Sequence, residues 1–161
     1  MKRLLILAIV ASAGFTSSCL GQETYRNATW NFCVRYPAGW EVSHPVDEYA
    51  VIFTQGQSLS MSFGVIRDNE SLEDNFRTAY ISDSSVSVVQ RESVIFRGRQ
   101  AIVATVTRDT SPQTVQHIMT IASGLKGVIY EFQLTAPDLK SLNQHMPIFK
   151  SEVESFRFDC K

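Results

Sequence analysis

The chain has 161 residues, of which 44% are hydrophobic and 19% are charged, so length and composition predict one folded domain and exclude a disordered or membrane-saturated protein. Fifteen basic and sixteen acidic residues give a net charge of −1, which argues against a nucleic-acid binder that depends on a strong basic field. The sequence contains no catalytic motif of the G-x-S-x-G, H-E-x-x-H or C-x-x-C type.

Residues 1–18 resemble a secretory signal peptide. The basic residues Lys2 and Arg3 precede an apolar run at 4–10, and small residues follow that run. The run is much shorter than the ~20 residues that a membrane-spanning helix needs. Two cleavage positions fit the sequence: one after Ala13, in an A-x-A pattern, and one directly before Cys19.

Residues 15–19 resemble a bacterial lipobox, in which small residues precede a cysteine that becomes the acylated first residue of the mature chain. Acylation of Cys19, palmitate included, would leave two of the three cysteines to pair, whereas an odd cysteine in an exported protein needs an explanation. We therefore expect a lipid-anchored protein of the bacterial cell envelope. Leu20 rather than aspartate follows the cysteine, which favours the periplasmic face of the outer membrane over the inner membrane. The alternative is an ordinary secreted or soluble periplasmic protein with a free Cys19.

The other two cysteines, Cys33 and Cys160, lie near opposite ends of the mature chain. Because an exported protein folds under oxidising conditions, we predict a disulfide between them. Two buried thiols are the alternative, since unpaired cysteines are often buried. The disulfide would enclose nearly the whole domain and would stabilise it by restricting the unfolded chain.

Residues 19–28 show no hydrophobic period, and we interpret them as a lipidated N-terminus and tether. A single domain then spans residues 29–161. Its first part alternates apolar and polar residues as β-strands do, with turn-forming residues between the alternating stretches. The predicted strands lie at 30–36, 40–42, 49–54 and 59–65.

Two helices and a four-stranded meander complete the predicted domain. Ser71 and Asp74 resemble a capping box, and apolar residues at helical spacing predict a helix that ends at 82–85. A second helix begins near Pro137, with a kink or a break expected at Pro147. The meander strands lie between the helices, at 86–96, 101–107, 114–122 and 128–134.

This order of elements predicts an α+β fold with a largely antiparallel sheet, because short turns join successive strands and no regular βαβ alternation occurs. Both helices should pack on the sheet through their apolar faces. The expected core consists of Trp40, Phe63, Phe76, Ile102, Val106, Tyr130, Phe132, Phe149 and Phe156.

Two motifs resemble the PsbP-like and DcrB-like domain family. Residues 32–40 resemble the F-x-V-x-Y-P-x-G-W opening of these domains, and residues 155–158 are similar to their closing S-F motif. The resemblance covers about residues 29–159. The resemblance implies a central antiparallel sheet flanked by helices in an α/β/α sandwich. It implies no catalytic residue at any position of this sequence. Members of the family serve as extrinsic subunits of photosynthetic complexes, as envelope lipoproteins and as chaperones for secreted effectors.

The three histidines show no pattern of metal ligation or catalysis. His44 lies near acidic residues on a predicted loop, His117 shares the phase of a predicted strand, and His145 lies beside the apolar stripe of the second helix. We therefore expect no metal, no cofactor, no nucleic-acid partner and no enzymatic activity. The expected function is that of a non-catalytic protein-binding or assembly module of the envelope. A carrier of a small apolar or lipid ligand and an unrecognised hydrolase are the alternatives.

Two segments are the candidate contact surfaces for an envelope protein partner. Loops on a rigid scaffold often carry binding chemistry, and an aromatic side chain among arginines is a composition enriched at protein interfaces. The candidate residues are His44, Asp47 and Tyr49 on a loop and Phe96, Arg97 and Arg99 on a hairpin.

Overall fold

The described part of the chain consists mainly of strands, with two helical segments between them. A computed structural model describes residues 21–30, 32–44, 50–56, 59–67, 69–110, 113–158 and 160. The strands are β1 Gln22–Asn27, β2 Phe32–Pro37, β3 Glu41–Ser43, β4 Ala50–Gln55, β5 Leu59–Arg67, β6 Val86–Phe96, β7 Arg99–Arg108, β8 Thr114–Ala122, β9 Val128–Ala136 and β10 Arg157–Phe158. The helices are α1 Leu72–Phe76, which continues as a π-helical segment Arg77–Ile81, and α2 Leu139–Ser155.

Seven strands form one antiparallel sheet in the order β3-β4-β5-β9-β8-β7-β6. Alternation of side chains explains β5, where Leu59, Met61 and Phe63 are buried while Ser60 and Ser62 are only partly covered. The buried side chains of β5 lie on the face that α2 covers, whereas Ile102, Ala104 and Val106 of β7 are buried on the opposite face. Both faces of the sheet therefore carry apolar side chains. The predicted α+β class with a largely antiparallel sheet is confirmed.

The helix α1 and its π-helical continuation pack on one face of this sheet, against β6, β7 and β8. Ser71 caps α1, because its Oγ accepts a hydrogen bond from the backbone N–H of Asp74 at 3.1 Å. Phe76 and Tyr80 are buried beneath the helical segment. Tyr80 Oη also donates to Glu131 Oε2 at 2.8 Å, which ties the π-helical segment to β9.

The helix α2 packs on the opposite face, so the sheet lies between two helical layers as an α/β/α arrangement. Phe63 lies at the centre of this core, with its ring centroid 4.5 Å from that of Phe32, 4.7 Å from Phe132 and 4.8 Å from Phe156. All the residues predicted to form the core are buried, so that prediction is confirmed.

One continuous helix spans the position where the sequence predicts a kink or a break. Pro147 lies inside α2 with its ring exposed. A proline removes one backbone hydrogen bond, but Leu142 and Phe149 on either side are buried and hold both halves to the same core. Within the described residues, no helix combines the length and the apolar character that crossing a membrane requires.

A second, smaller sheet corrects the predicted N-terminal boundary. β1 and β10 pair antiparallel on either side of β2. The prediction of a tether at 19–28 is therefore wrong for Gln22–Asn27, which form β1. Four of the six residues of β1 are exposed, so pairing with β2 rather than burial holds the strand, and its sequence carries no alternation. The domain therefore includes Gln22–Asn27, which precede the predicted boundary at residue 29, and residues 19 and 20 lie outside the described residues.

Pairing of β10 with β2 brings the two ends of the domain together. Arg157 lies opposite Cys33 in this pairing. The structure contains the predicted disulfide between Cys33 and Cys160, whose Cα atoms are 5.8 Å apart. The covalent bond thus joins β2 to the residue two positions beyond β10, a strand that the sheet already places beside β2.

Candidate functional site

Two of the three histidines each have one polar partner among the described residues. His44 Nδ1, just beyond β3, lies 3.4 Å from Tyr25 Oη. His145 Nδ1 donates to the backbone carbonyl of Ser141, one turn earlier in α2, at 2.8 Å. In the part of the chain that the structure describes, no group of three or more histidine, cysteine or acidic side chains could hold a metal ion.

His117 lies on β8 and faces α2. Its Nδ1 lies 3.1 Å from Thr105 Oγ1, and its ring meets that of Phe149 edge-on, with centroids 5.4 Å apart. Burial is the main cause that lowers the pKa of His117, and the positive charge of Lys150 lowers it further. These neighbours are a hydroxyl and an aromatic ring, not the serine and carboxylate pair that a hydrolase triad uses.

The two candidate contact segments lie at opposite edges of the large sheet. His44 follows the edge strand β3, and the turn that contains Arg97 joins the other edge strand, β6, to β7. Six strand spacings of ~4.8 Å put about 29 Å between these edges, so the segments do not form one site. Asp47 and Tyr49 lie outside the described residues.

Arg97 binds the end of the domain's own helix. Its backbone φ is 50° at the hairpin turn, and its guanidinium donates to the carbonyl oxygens of Phe156 and Glu154, each at 2.7 Å. The last carbonyls of an α-helix have no partner within the helix, and arginine side chains commonly satisfy them. A test of binding should therefore leave Arg97 in place.

Phe96 and Arg99 are cross-strand neighbours on the face of the sheet that α2 covers. Phe96 is half-buried against the main core, with the Arg97 guanidinium 5.2 Å from its ring centroid. Burial raises the pKa of the Tyr130 hydroxyl, and the nearby positive charge of Arg99 lowers it by a smaller amount. Phe96 also lines an open groove beside α2.

The strand β6 presents a long open edge. It has eleven residues and pairs with β7 on one side, and no strand among the described residues pairs with its other side. Val89 is 62% exposed and Ile95 is 70% exposed. The opposite edge strand β3 has only three residues, and short length is one way in which proteins protect a sheet edge from pairing. We call the outer side of Gln90–Phe96, together with Val89, the β6 edge.

A first groove lies beside the β6 edge on the face that carries α1, and we call it the α1-side groove. Its volume is about 320 Å³, and the start of α1 forms one wall while β6 and β7 form its floor. The principal lining residues are Leu72, Glu73, Ser93, Ile95, Gln100 and Ile102.

A second groove, the α2-side groove, lies beside the same edge on the other face. Its volume is about 210 Å³, and almost all of its lining is apolar. Met146, Phe149 and Lys150 of α2 form one wall, and Phe96, Val103 and Met119 of the sheet form the other. Methionine side chains adapt to differently shaped apolar groups, so this groove suits an apolar side chain of variable shape.

Sequence reasoning named Phe96 but missed the rest of this surface. The available signal lies in β6 itself, where the adjacent apolar pairs Val88–Val89 and Val94–Ile95 break the alternation of a half-buried strand. A register shift between Val88 and Gln90 accommodates the first pair as a bulge. Adjacent apolar residues put apolar groups on both faces of an edge, which is uncommon for a strand that only solvent covers.

One buried carboxyl group lies away from these grooves. Glu152 of α2 is 2% exposed, and neither side-chain oxygen has a hydrogen-bond partner among the described residues. Ser151 accepts a hydrogen bond from Gln22 Nε2, and Ser155 accepts one from the backbone N–H of Arg35, so this part of α2 lies against β1 and β2. Burial raises the pKa of Glu152 well above its ordinary value.

The fold is shared with proteins of several organisms, although no protein-family model and no curated protein sequence matches the chain. The cyanobacterial PsbP protein CyanoP of Synechocystis has a TM-score of 0.60 at 12% identity, covering 94% of this chain and 98% of its own. The Ran-binding protein Mog1p of Saccharomyces cerevisiae has a TM-score of 0.60 at 9% identity, covering 86% and 95%. The protein PA94 of Pseudomonas aeruginosa has a TM-score of 0.56 at 14% identity, covering 83% and 94%. The chain therefore has a PsbP/Mog1-like fold.

Proposed function

We propose that this protein is a non-catalytic, lipid-anchored module of the bacterial envelope that binds another envelope protein through the β6 edge. The observation that carries the proposal is the open edge itself: an eleven-residue strand whose outer side pairs with no described strand and exposes Val89 and Ile95. A strand of that length and composition is a template for association unless a partner covers it.

The lipobox-like sequence at residues 15–19 supports the envelope part of the proposal. Only Leu20 and Gly21 separate Cys19 from β1, so at about 3.5 Å per residue the first strand would begin within about 10 Å of the lipidated residue. Such an anchor restricts the domain to partners at the membrane surface, and it fits the lipoprotein members of the DcrB-like family that the sequence resembles.

A carrier of a small apolar or lipid ligand is the second candidate, and the α2-side groove is the observation that favours it. The groove is apolar and has Lys150 at its rim. Its volume of about 210 Å³ is smaller than the ~300–1,000 Å³ of ordinary ligand pockets, and it lies open beside a strand edge. Both features fit a protruding side chain of a protein partner better than an enclosed ligand.

The test compares partner binding by two variants of the anchored protein. Val89→Lys with Ile95→Lys places charges on the β6 edge at exposed positions, so the fold should stay intact while strand addition is blocked. Leu125→Lys is the matched control, because Leu125 is also an exposed aliphatic residue, at 66%, but lies in the connection between β8 and β9.

The expected result of affinity capture from detergent-solubilised envelopes is a partner that both the unmodified protein and Leu125→Lys retain. The edge variant should lose at least about nine-tenths of that partner while its melting temperature stays within a few degrees. Equal recovery by the edge variant would contradict the proposal.

A further inference from the structure

We propose that the partner contributes an extended segment that joins the large sheet as an eighth strand beside β6. Successive apolar side chains of this segment enter the α1-side groove and the α2-side groove in turn. This inference rests on the proposed function and deepens it, because it names the chemistry of the segment that binds. The partner segment is defined by its extended backbone and by the alternation of its side chains between the two faces of the sheet.

The backbone of β6 forms a regular ladder with β7 along the β6 edge. From Gln90 to Phe96 each residue pairs in register with β7, without a further shift. Along such an antiparallel edge, every second residue directs its N–H and C=O groups away from its partner strand. Only another extended backbone satisfies a row of donors and acceptors at this spacing, whereas an acyl chain or a helix satisfies none of them.

The two grooves lie beside the β6 edge on opposite faces of the sheet. Ser93 pairs with Ile102 and lies on the α1 face, whereas Val94 pairs with Ala101 and lies on the α2 face. Residues directly opposite each other in a sheet lie on the same face, so successive residues of an added strand alternate between the two faces. A segment opposite 93–96 therefore presents one side chain to the α1-side groove and the next to the α2-side groove.

The charges beside the grooves specify the segment further. Arg91 lies on the α1 face and is already engaged, since it forms an ion pair with Glu73 and lies 5.2 Å from the ring centroid of Phe76. Glu92 pairs with Val103 on the α2 face and is exposed. The partner strand should therefore carry a basic residue opposite Glu92 and an apolar residue two positions away, on the same face.

A second copy of this chain fits the edge less well than a different segment. Antiparallel pairing of two complete β6 strands is centred on Arg91 and puts the two Arg91 side chains opposite each other. A pairing centred on Ser93 instead puts Arg91 opposite Ile95 and Glu92 opposite Val94. Like charges or a charge against an apolar residue weaken each of these registers.

The experiment selects binders from a displayed library of random twelve-residue peptides, with the full-length lipidated protein in nanodiscs as the target. The selected peptides are then synthesised, and their dissociation constants are measured with the edge variant Val89→Lys/Ile95→Lys and with two groove variants. Leu72→Gln alters the α1-side groove and Met146→Gln the α2-side groove, at half-buried positions. Leu139→Gln, at the exposed start of α2, is the control.

We expect the selected peptides to carry two adjacent apolar residues, one of which faces the α1-side groove and the other the α2-side groove. They should also carry a basic residue on the α2 face. Methylation of one alternate set of peptide nitrogens should weaken binding at least about tenfold, and methylation of the other set should change it less than about threefold. Each groove variant should weaken binding at least about fivefold, the edge variant should abolish it, and Leu139→Gln should leave it unchanged.

The contradicting outcomes separate this inference from the proposed function. Peptides that lose affinity for the edge variant but not for either groove variant would overturn the inference and leave the proposed function standing. Peptides that bind the edge variant unchanged would overturn both. No enrichment, a helical spacing of apolar positions, or dimerisation of the protein that the edge variant abolishes would each overturn the inference.

Discussion

Replacing Cys33 with serine is expected to lower the free energy of unfolding by about 3–5 kcal/mol. The disulfide joins residues 127 positions apart, so its loss frees almost the whole unfolded chain. It also releases β10, a two-residue strand whose one partner among the described strands is β2. Denaturant unfolding of the unmodified protein and the variant, under the same oxidising conditions, measures the difference.

Cys160→Ser is the matched control for this prediction. Because both substitutions remove the same bond, the double variant should be no less stable than either single variant. Losses that add in the double variant would show that the two cysteines act separately and would contradict the account of a shared disulfide.

Replacing Glu152 with leucine is expected to stabilise the domain by about 1–3 kcal/mol at pH 8, because a buried polar group without a partner carries its full cost of desolvation. The carboxyl is buried, and in the described part of the chain neither oxygen has a hydrogen-bond partner. An apolar side chain of similar size avoids that cost. Thermal or denaturant unfolding at pH 8 measures the gain, and Glu154→Leu, at an exposed position on the same helix, should show no comparable gain.

The pH dependence of this effect has a definite sign. Burial raises the pKa of Glu152 in the folded state above the ordinary glutamate value of about 4.3 in the unfolded chain. Above pH ~4.3 the folded protein therefore keeps a proton that the unfolded chain releases. The free energy of unfolding is unaffected by the titration of this group below pH ~4.3, and it decreases as the pH rises toward the folded pKa.

A glutamine variant isolates this titration. Glu152→Gln cannot ionise, so its stability relative to the unmodified protein should increase from pH 4 to pH 8. His117 and Glu131, whose pKa values burial also shifts, contribute equally to both proteins and cancel in the difference. Parallel stability profiles over this range would contradict the assignment of a buried, neutral Glu152.

The sequence predicts the large sheet well because one face of most strands is buried. In β5 the apolar residues occupy every second position, and Ile102, Ala104 and Val106 do the same in β7. β1 lacks this signal because pairing with β2, not burial, holds it. A strand that is exposed on both faces has no alternation of apolar and polar residues in its sequence. Such a strand is recognised only from its pairing with a partner strand.

The candidate site is less predictable because it is assembled from distant parts of the chain. Arg97 is adjacent in sequence to Phe96, yet it binds the carbonyl of Glu154, 57 positions away. The two grooves combine residues of α1 or α2 with residues of β6 and β7. Local composition identifies the hairpin as unusual, but only the packing of both helices shows which side chains stay available.

The most direct measurement of the central claim is photo-crosslinking from the β6 edge of the anchored protein in intact cells. A photoreactive residue at Ile95 should form a crosslink to an envelope protein, and peptide mapping should place that crosslink in an extended segment. The same residue at Val42, on the short edge strand β3 across the sheet, is the matched control and should form none. Equal crosslinking from both positions, or crosslinking from Val42 alone, would contradict the claim that β6 is the binding surface.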